Sequence, residues 1–143
     1  MSKVILIADD ERSNLQVIVK YINESTEKYE VMCAPNGKVA CEIATASLPD
    51  LILMDWEMPE MNGIEAIKWL KNEPSTKDIP VLMVSALSSS EDIEMALDTG
   101  AIDYIRKPIN KTELLARVKS ALRIAQQFKN YADRIKSLEA QLK

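Results

Sequence analysis

Five short apolar runs punctuate the chain, and a stretch with helical spacing follows each of them. Val4-Ile5-Leu6-Ile7-Ala8 is almost continuously apolar, the pattern of a strand buried on both faces rather than one. Glu30-Val31-Met32-Cys33-Ala34 is a weaker second candidate, and Leu51-Ile52-Leu53-Met54 is the third. Val81-Leu82-Met83-Val84 follows Pro80, a residue that can open a strand but not sit centrally in one. Tyr104-Ile105 marks a short fifth. Between them, residues 11–23 place Leu15, Ile18, Val19 and Ile22 on one face at steps of three and four. Asn36-Gly37 leads into a second helix reaching Ser47, and Met61-Asn62-Gly63 opens a third whose apolar side is Ile64, Ile67, Trp69 and Leu70. Ser88-Ser89-Ser90-Glu91 supplies N-cap candidates for a fourth, which ends at Gly100.

Apolar strands alternating with helices imply a parallel sheet covered on both faces. Five such units are too few for an eight-stranded barrel. The expected class is therefore α/β: a (βα)5 doubly wound, five-stranded parallel sheet. After Pro108 neither Gly nor Pro occurs through Lys143. Leu114, Val118, Ala121, Ala125, Phe128, Ala132, Ile135 and Leu142 recur there at heptad spacing, with Glu139 in one core slot. The first two heptads are expected to pack on the sheet and the rest to continue as a coiled coil, giving a unit at 1–123 and a helical extension or linker at 124–143. A parallel homodimer through this last helix is the expected use of the stripe, and the alanines in its core slots point to a weak, switchable seam.

Composition narrows the chemistry. The 143 residues contain no His, which removes Ser-His-Asp triads, HExxH zinc sites and histidine bases. Cys33 and Cys41 cannot supply a four-ligand zinc site and read as reduced, buried packing residues. Residues 1–110 carry 10 Lys+Arg against 19 Asp+Glu, whereas residues 111–143 carry 8 against 3. The acidic body disfavours a broad nucleic-acid surface, and the charges of the basic tail read as a solvated helix face. No apolar run nears the roughly 20 residues that cross a bilayer. Met1-Ser2-Lys3-Val4 lacks the flanks of a secretory signal, so the expected location is the cytoplasm.

In a doubly wound sheet, ligands bind beyond the carboxyl ends of the strands. Those ends carry Asp9-Asp10-Glu11, Asp55, Ser85-Ala86 and Arg106-Lys107-Pro108. Taken singly these are ordinary: an acidic first helical turn, a solvated lysine, loop punctuation. Together they place clustered carboxylates, a hydroxyl and an ammonium on one edge. Clustered carboxylates repel unless a cation neutralises them, and Mg²⁺ matches an all-oxygen donor set. A metal, a nucleophilic carboxylate and a lysine are the parts for phosphoryl transfer onto Asp55, giving an acyl phosphate.

Ile7-Ala8-Asp9-Asp10, Leu53-Met54-Asp55-Trp56-Glu57-Met58-Pro59-Glu60-Met61-Asn62-Gly63, Val84-Ser85-Ala86 and Lys107-Pro108 resemble the receiver domain of bacterial response regulators, a CheY-like family, over roughly residues 3–123. The resemblance implies Asp55 as phosphoacceptor. It implies Mg²⁺ ligation by the Asp10 and Asp55 side chains and the Glu57 backbone carbonyl, with Asp9 acting through water. It further implies Ser85 and Lys107 on the phosphoryl group, Ser85 and Tyr104 as switch residues, and a Lys107–Pro108 bond of the cis form. Plain core packing is the competing role for Tyr104. With no histidine of its own, the chain needs an outside donor, and the family implies a sensor histidine kinase or a histidine phosphotransfer protein. Such a protein catalyses only its own phosphorylation and slow dephosphorylation. Two alternatives stand beside this reading. A haloacid-dehalogenase-like phosphatase would want Asp, not Glu57, two residues after the nucleophile. A phosphate-independent interaction module would have lost a site residue.

Overall fold

The computed structural model describes residues 2–142. The strands are β1 (Lys3–Ala8), β2 (Tyr29–Ala34), β3 (Leu51–Asp55), β4 (Val81–Ser85) and β5 (Asp103–Arg106). The helices are α1 (Arg12–Asn23), α2 (Gly37–Ser47), α3 (Gly63–Asn72), α4 (Ser90–Thr99) and α5 (Lys111–Gln141). All strand pairings are parallel, in the order β2-β1-β3-β4-β5. The order reverses direction at β1, and the β1 and β3 carboxyl ends flank that switch point.

Side-chain alternation sorts the strands between two cores. Leu6, Ala8, Ile52, Met54, Val81, Met83 and Tyr104 pack with α2, α3 and α4. Ile5, Ile7, Leu51, Leu53, Leu82, Val84 and Ile105 pack with α1 and α5. Because both faces are covered, β1, β3 and β4 read as unbroken apolar runs.

Local sequence explains the helix starts. Asn36, Asn62, Ser89 and Asn110 each accept an N–H from three residues on. Asn62 with Glu65, and Ser89 with Asp92, close reciprocal capping boxes. Leu114, Val118 and Ala121 of α5 are buried against the sheet, and on its flank Arg117 donates to Asp103 of β5 at 2.8 Å.

Two packing expectations are corrected. Cys33 is exposed, because β2 is an edge strand, whereas Cys41 is buried as expected. Trp69 is exposed rather than part of the buried side of α3 and lines a shallow apolar groove beside α2 with Cys41, Thr45 and Met61. The ends of the chain, Met1 and Lys143, lie outside the described residues.

Glu60 holds a φ of 68° in the loop between β3 and α3, a region costly for any residue with a Cβ. Its side chain is exposed, so nothing is lost in packing when it is removed. Glu60→Gly is expected to stabilise the chain by about 0.5–1 kcal/mol. A urea midpoint that falls in this variant would contradict the assignment of strain to that residue.

Candidate functional site

The carboxyl ends of four strands build the site. Asp9 follows β1 and is held by two backbone bonds: its own N–H donates to the Ala34 carbonyl at 3.1 Å, and its Oδ1 accepts from Glu11 N–H at 2.9 Å. Asp55 ends β3, and its Oδ1 accepts from Trp56 N–H at 3.0 Å. Both acids are deeply buried, Asp9 at 1% exposure and Asp55 at 6%. Lys107 reaches across from the end of β5. Its Nζ donates to Asp9 Oδ2 and to Asp55 Oδ1, each at 3.1 Å. Lys107 N–H also donates to the Ser85 carbonyl at 2.9 Å, which ties the end of β5 to the end of β4.

Electrostatics sets the state of these groups. Burial, reinforced by the neighbouring Asp9 charge, pushes the Asp55 carboxyl up to about 6, against the opposing pull of Lys107. Burial works against the Lys107 ammonium, but Asp55 and Asp9 outweigh it and hold its pKa above the ordinary value. Lys107 is therefore charged throughout the neutral range, and Asp55 is mostly ionised at pH 7.

Asp9, Asp10 and Asp55 offer carboxylate oxygens that all lie within 4.8 Å of one another, with Asp10 on the exposed side. Two buried acids and one exposed acid, all hard oxygen donors, fit a divalent cation approached from solvent. Asp10 also lines a shallow depression with Trp56, Glu57, Met58, Pro59 and Leu87, so the cluster opens to the surface there.

Ser85 is buried, and its Oγ accepts from Leu87 N–H at 3.0 Å. The Tyr104 ring is buried too, and its hydroxyl donates to the Leu87 carbonyl. Leu87 is thus bonded to both Ser85 and Tyr104, a link for which the sequence carries no signal. Lys107–Pro108 is cis.

Gly63, expected only to open the third helix and to close the motif that follows Asp55, is a second such feature. Its N–H donates to the Trp56 carbonyl at 2.8 Å, and a Cβ there would stand 2.3 Å from the Asp55 carbonyl oxygen. The start of α3 therefore rests directly on the backbone that carries Asp55.

The raised Asp55 pKa makes a stability prediction. Its folded value of about 6 lies above the ordinary 3.8, so the folded chain binds this proton more tightly than the unfolded chain. The resulting penalty is full above pH 6 and disappears as pH falls toward 4. Asp55→Asn should raise the unfolding free energy in metal-free buffer at pH 7.5 by on the order of 2 kcal/mol. The gain should shrink toward zero near pH 4 in urea titrations. A gain independent of pH would mean that charge burial is not its cause.

Comparison with known proteins agrees with this arrangement. Residues 5–119 match the family described as response regulator receiver domain. The chain is 38% identical over 140 residues to the response regulator PleD of Caulobacter vibrioides, covering 98% of this chain and 30% of that protein. It is 39% identical over 123 residues to the phosphate regulon transcriptional regulatory protein PhoB of Escherichia coli, covering 86% of this chain and 53% of that one. The chain thus spans only about a third to a half of these relatives. Among solved structures, a CheY-like receiver domain protein from Methanospirillum hungatei superposes with a TM-score of 0.80 at 27% identity, covering 89% of this chain and 98% of that one. The five-stranded fold, the acidic cluster and these matches together show that the chain belongs to the response regulator receiver domain family, the phosphoacceptor domains of two-component signalling.

Proposed function

We propose that Asp55 is the phosphoacceptor and that the site charges itself in a Mg²⁺-dependent reaction, with a sensor histidine kinase or histidine phosphotransfer protein as donor. The observation that carries this reading is the Lys107 ammonium 3.1 Å from both buried acids, Asp9 and Asp55. An Asp55 oxygen forms the new P–O bond as the P–N bond to the donor imidazole breaks. The imidazole leaves with the electron pair and takes up a proton. Burial strips water from the attacking carboxylate, and Lys107 meets the charge that gathers on the phosphoryl oxygens. The Asp10 and Asp55 side chains and the Glu57 carbonyl would hold the metal, with Asp9 acting through water; bound there, Mg²⁺ neutralises phosphoryl charge and orients the group.

Ser85 lies at the neighbouring strand end, with its hydroxyl free to leave Leu87 N–H for a phosphoryl oxygen. That exchange would disturb the shared Leu87 link and with it the Tyr104 hydroxyl, biasing a two-state surface formed by α4, β5 and α5. Residues 1–123 act as the receiver unit and 124–143 as an extension through which two copies associate. The setting is cytoplasmic; among the described residues no helix is long and apolar enough to cross a membrane. Chemistry on the chain is confined to gaining and slowly losing its own phosphoryl group.

Acetyl phosphate with Mg²⁺ should add one phosphoryl group to the intact mass of the wild-type chain and none to Asp55→Asn. Equal uptake by the two proteins would refute the assignment.

A further inference from the structure

Two apolar stripes run along α5, and the structure separates them. Leu114, Val118 and Ala121 are buried against the sheet, and the same line continues through Ala125 and Ala132, half-buried at the base of the domain near Pro49 and Pro80. The second stripe is Ile124, Phe128, Tyr131, Ile135, Leu138 and Leu142, at successive steps of four, three, four, three and four. Every member is between 46% and 87% exposed. At about 100° per residue, Ile124 and Ala125 point to clearly different sides, so the domain covers one stripe and leaves the other open. The exposed stripe differs from the seam expected from sequence. The two share Phe128, Ile135 and Leu142, but Ala125, Ala132 and Glu139 give way to Ile124, Tyr131 and Leu138.

We infer that residues 124–142 pair with the same residues of a second copy in a parallel, in-register coiled coil along the exposed stripe. The inference rests on the self-association proposed above and specifies its geometry. In heptad terms Ile124, Tyr131 and Leu138 are d positions, and Phe128, Ile135 and Leu142 are a positions. Arg134 then falls at g and Glu139 at the following e, the pair that meets across a parallel, in-register dimer, once on each side. An antiparallel pairing sets g against g and e against e. The g set is Gln127, Arg134 and Gln141, and the e set is Ala125, Ala132 and Glu139, so no opposite charges meet that way. One step N-terminal of Ile124 the seam would fall on Ala121, which the domain core has buried. The seam therefore starts just past Ala121, the last fully buried residue of α5. It spans fewer than three heptads, which makes the contact weak and adjustable rather than permanent.

Single cysteines in the full chain with Cys33→Ser test this. Cys41 is buried, and its thiol is pushed up to about 11, first by burial and then by Glu42, so it does not compete. Under mild oxidation, Leu138→Cys should form a symmetric disulfide at a rate about 10-fold above Ala132→Cys or Ala140→Cys. In sedimentation equilibrium, Arg134→Glu should weaken the dimer about 5- to 10-fold, and Arg134→Glu with Glu139→Arg should restore it. Faster cross-linking at 132 than at 138, or no recovery in the double variant, overturns the seam while leaving self-association standing. A wild-type chain that stays monomeric at millimolar concentration overturns both.

Discussion

Lys107→Met should destabilise the metal-free chain at pH 7.5 by about 3 kcal/mol, because it leaves two buried carboxylates without their shared cation. Methionine keeps most of the aliphatic volume, so the loss is chiefly one of charge. Two treatments should reverse it. Removing the ammonium raises the Asp55 pKa beyond its already elevated value, so the variant binds the Asp55 proton more tightly still. Its deficit relative to wild type should therefore shrink as pH falls from 7.5 toward 5. Magnesium should act in the same direction: without the ammonium competing for Asp9 and Asp55 the variant binds the cation more tightly than wild type does, and each tenfold difference in Kd returns up to about 1.4 kcal/mol of the deficit at saturating Mg²⁺. Urea titrations across pH, with and without Mg²⁺, give the comparison. A deficit that ignores both pH and Mg²⁺ would assign Lys107 a packing role and remove it from the charge cluster.

Gly63→Ala is the second large effect. Its added Cβ would lie 2.3 Å from the Asp55 carbonyl oxygen and 2.9 Å from Trp56 Cα, and both neighbours are backbone. No rotamer change relieves such a contact, so either α3 or the end of β3 has to move. A cost of about 2–3 kcal/mol follows from overpacking of this kind. Because the displaced atoms carry Asp55, phosphoryl uptake from acetyl phosphate should slow on the order of 10- to 100-fold. Gly37→Ala is the control: its Cβ would stand 2.4 Å from the Met61 carbonyl oxygen, at the far end of the same loop. It should destabilise comparably and slow uptake much less. Equal slowing in both variants would mean that loop stability, not the placement of Asp55, governs the rate.

The order of elements and the gathering of the candidate site residues at one sheet edge were legible in the sequence for the same reason. A sheet covered on both faces leaves unbroken runs such as Ile5-Leu6-Ile7 and Leu51-Ile52-Leu53, and polar residues that interrupt them must lie where the strands end. Asp9, Asp55, Ser85 and Lys107 announce themselves by that contrast. What was not legible depends on which surfaces meet. Cys33 and Ala34 are neighbours in one strand, yet only the edge position of β2 leaves Cys33 in solvent. Gly63 has no side chain to signal that it rests on the Asp55 backbone. Leu87 acts through its peptide groups, which any residue type would supply. On α5, two heptad patterns overlap at Phe128, Ile135 and Leu142, and only the position of the domain surface decides which is covered.

The most direct test of the central assignment is to trap the charged chain. Borohydride reduces an aspartyl phosphate to the alcohol, which converts the modified aspartate to homoserine. After reaction with Mg²⁺ and acetyl phosphate, peptide mapping should find homoserine at residue 55, with Asp9 and Asp10 unmodified. Homoserine at residue 9 or 10, or an unreduced phosphate on Ser85, would contradict Asp55 as the phosphoacceptor.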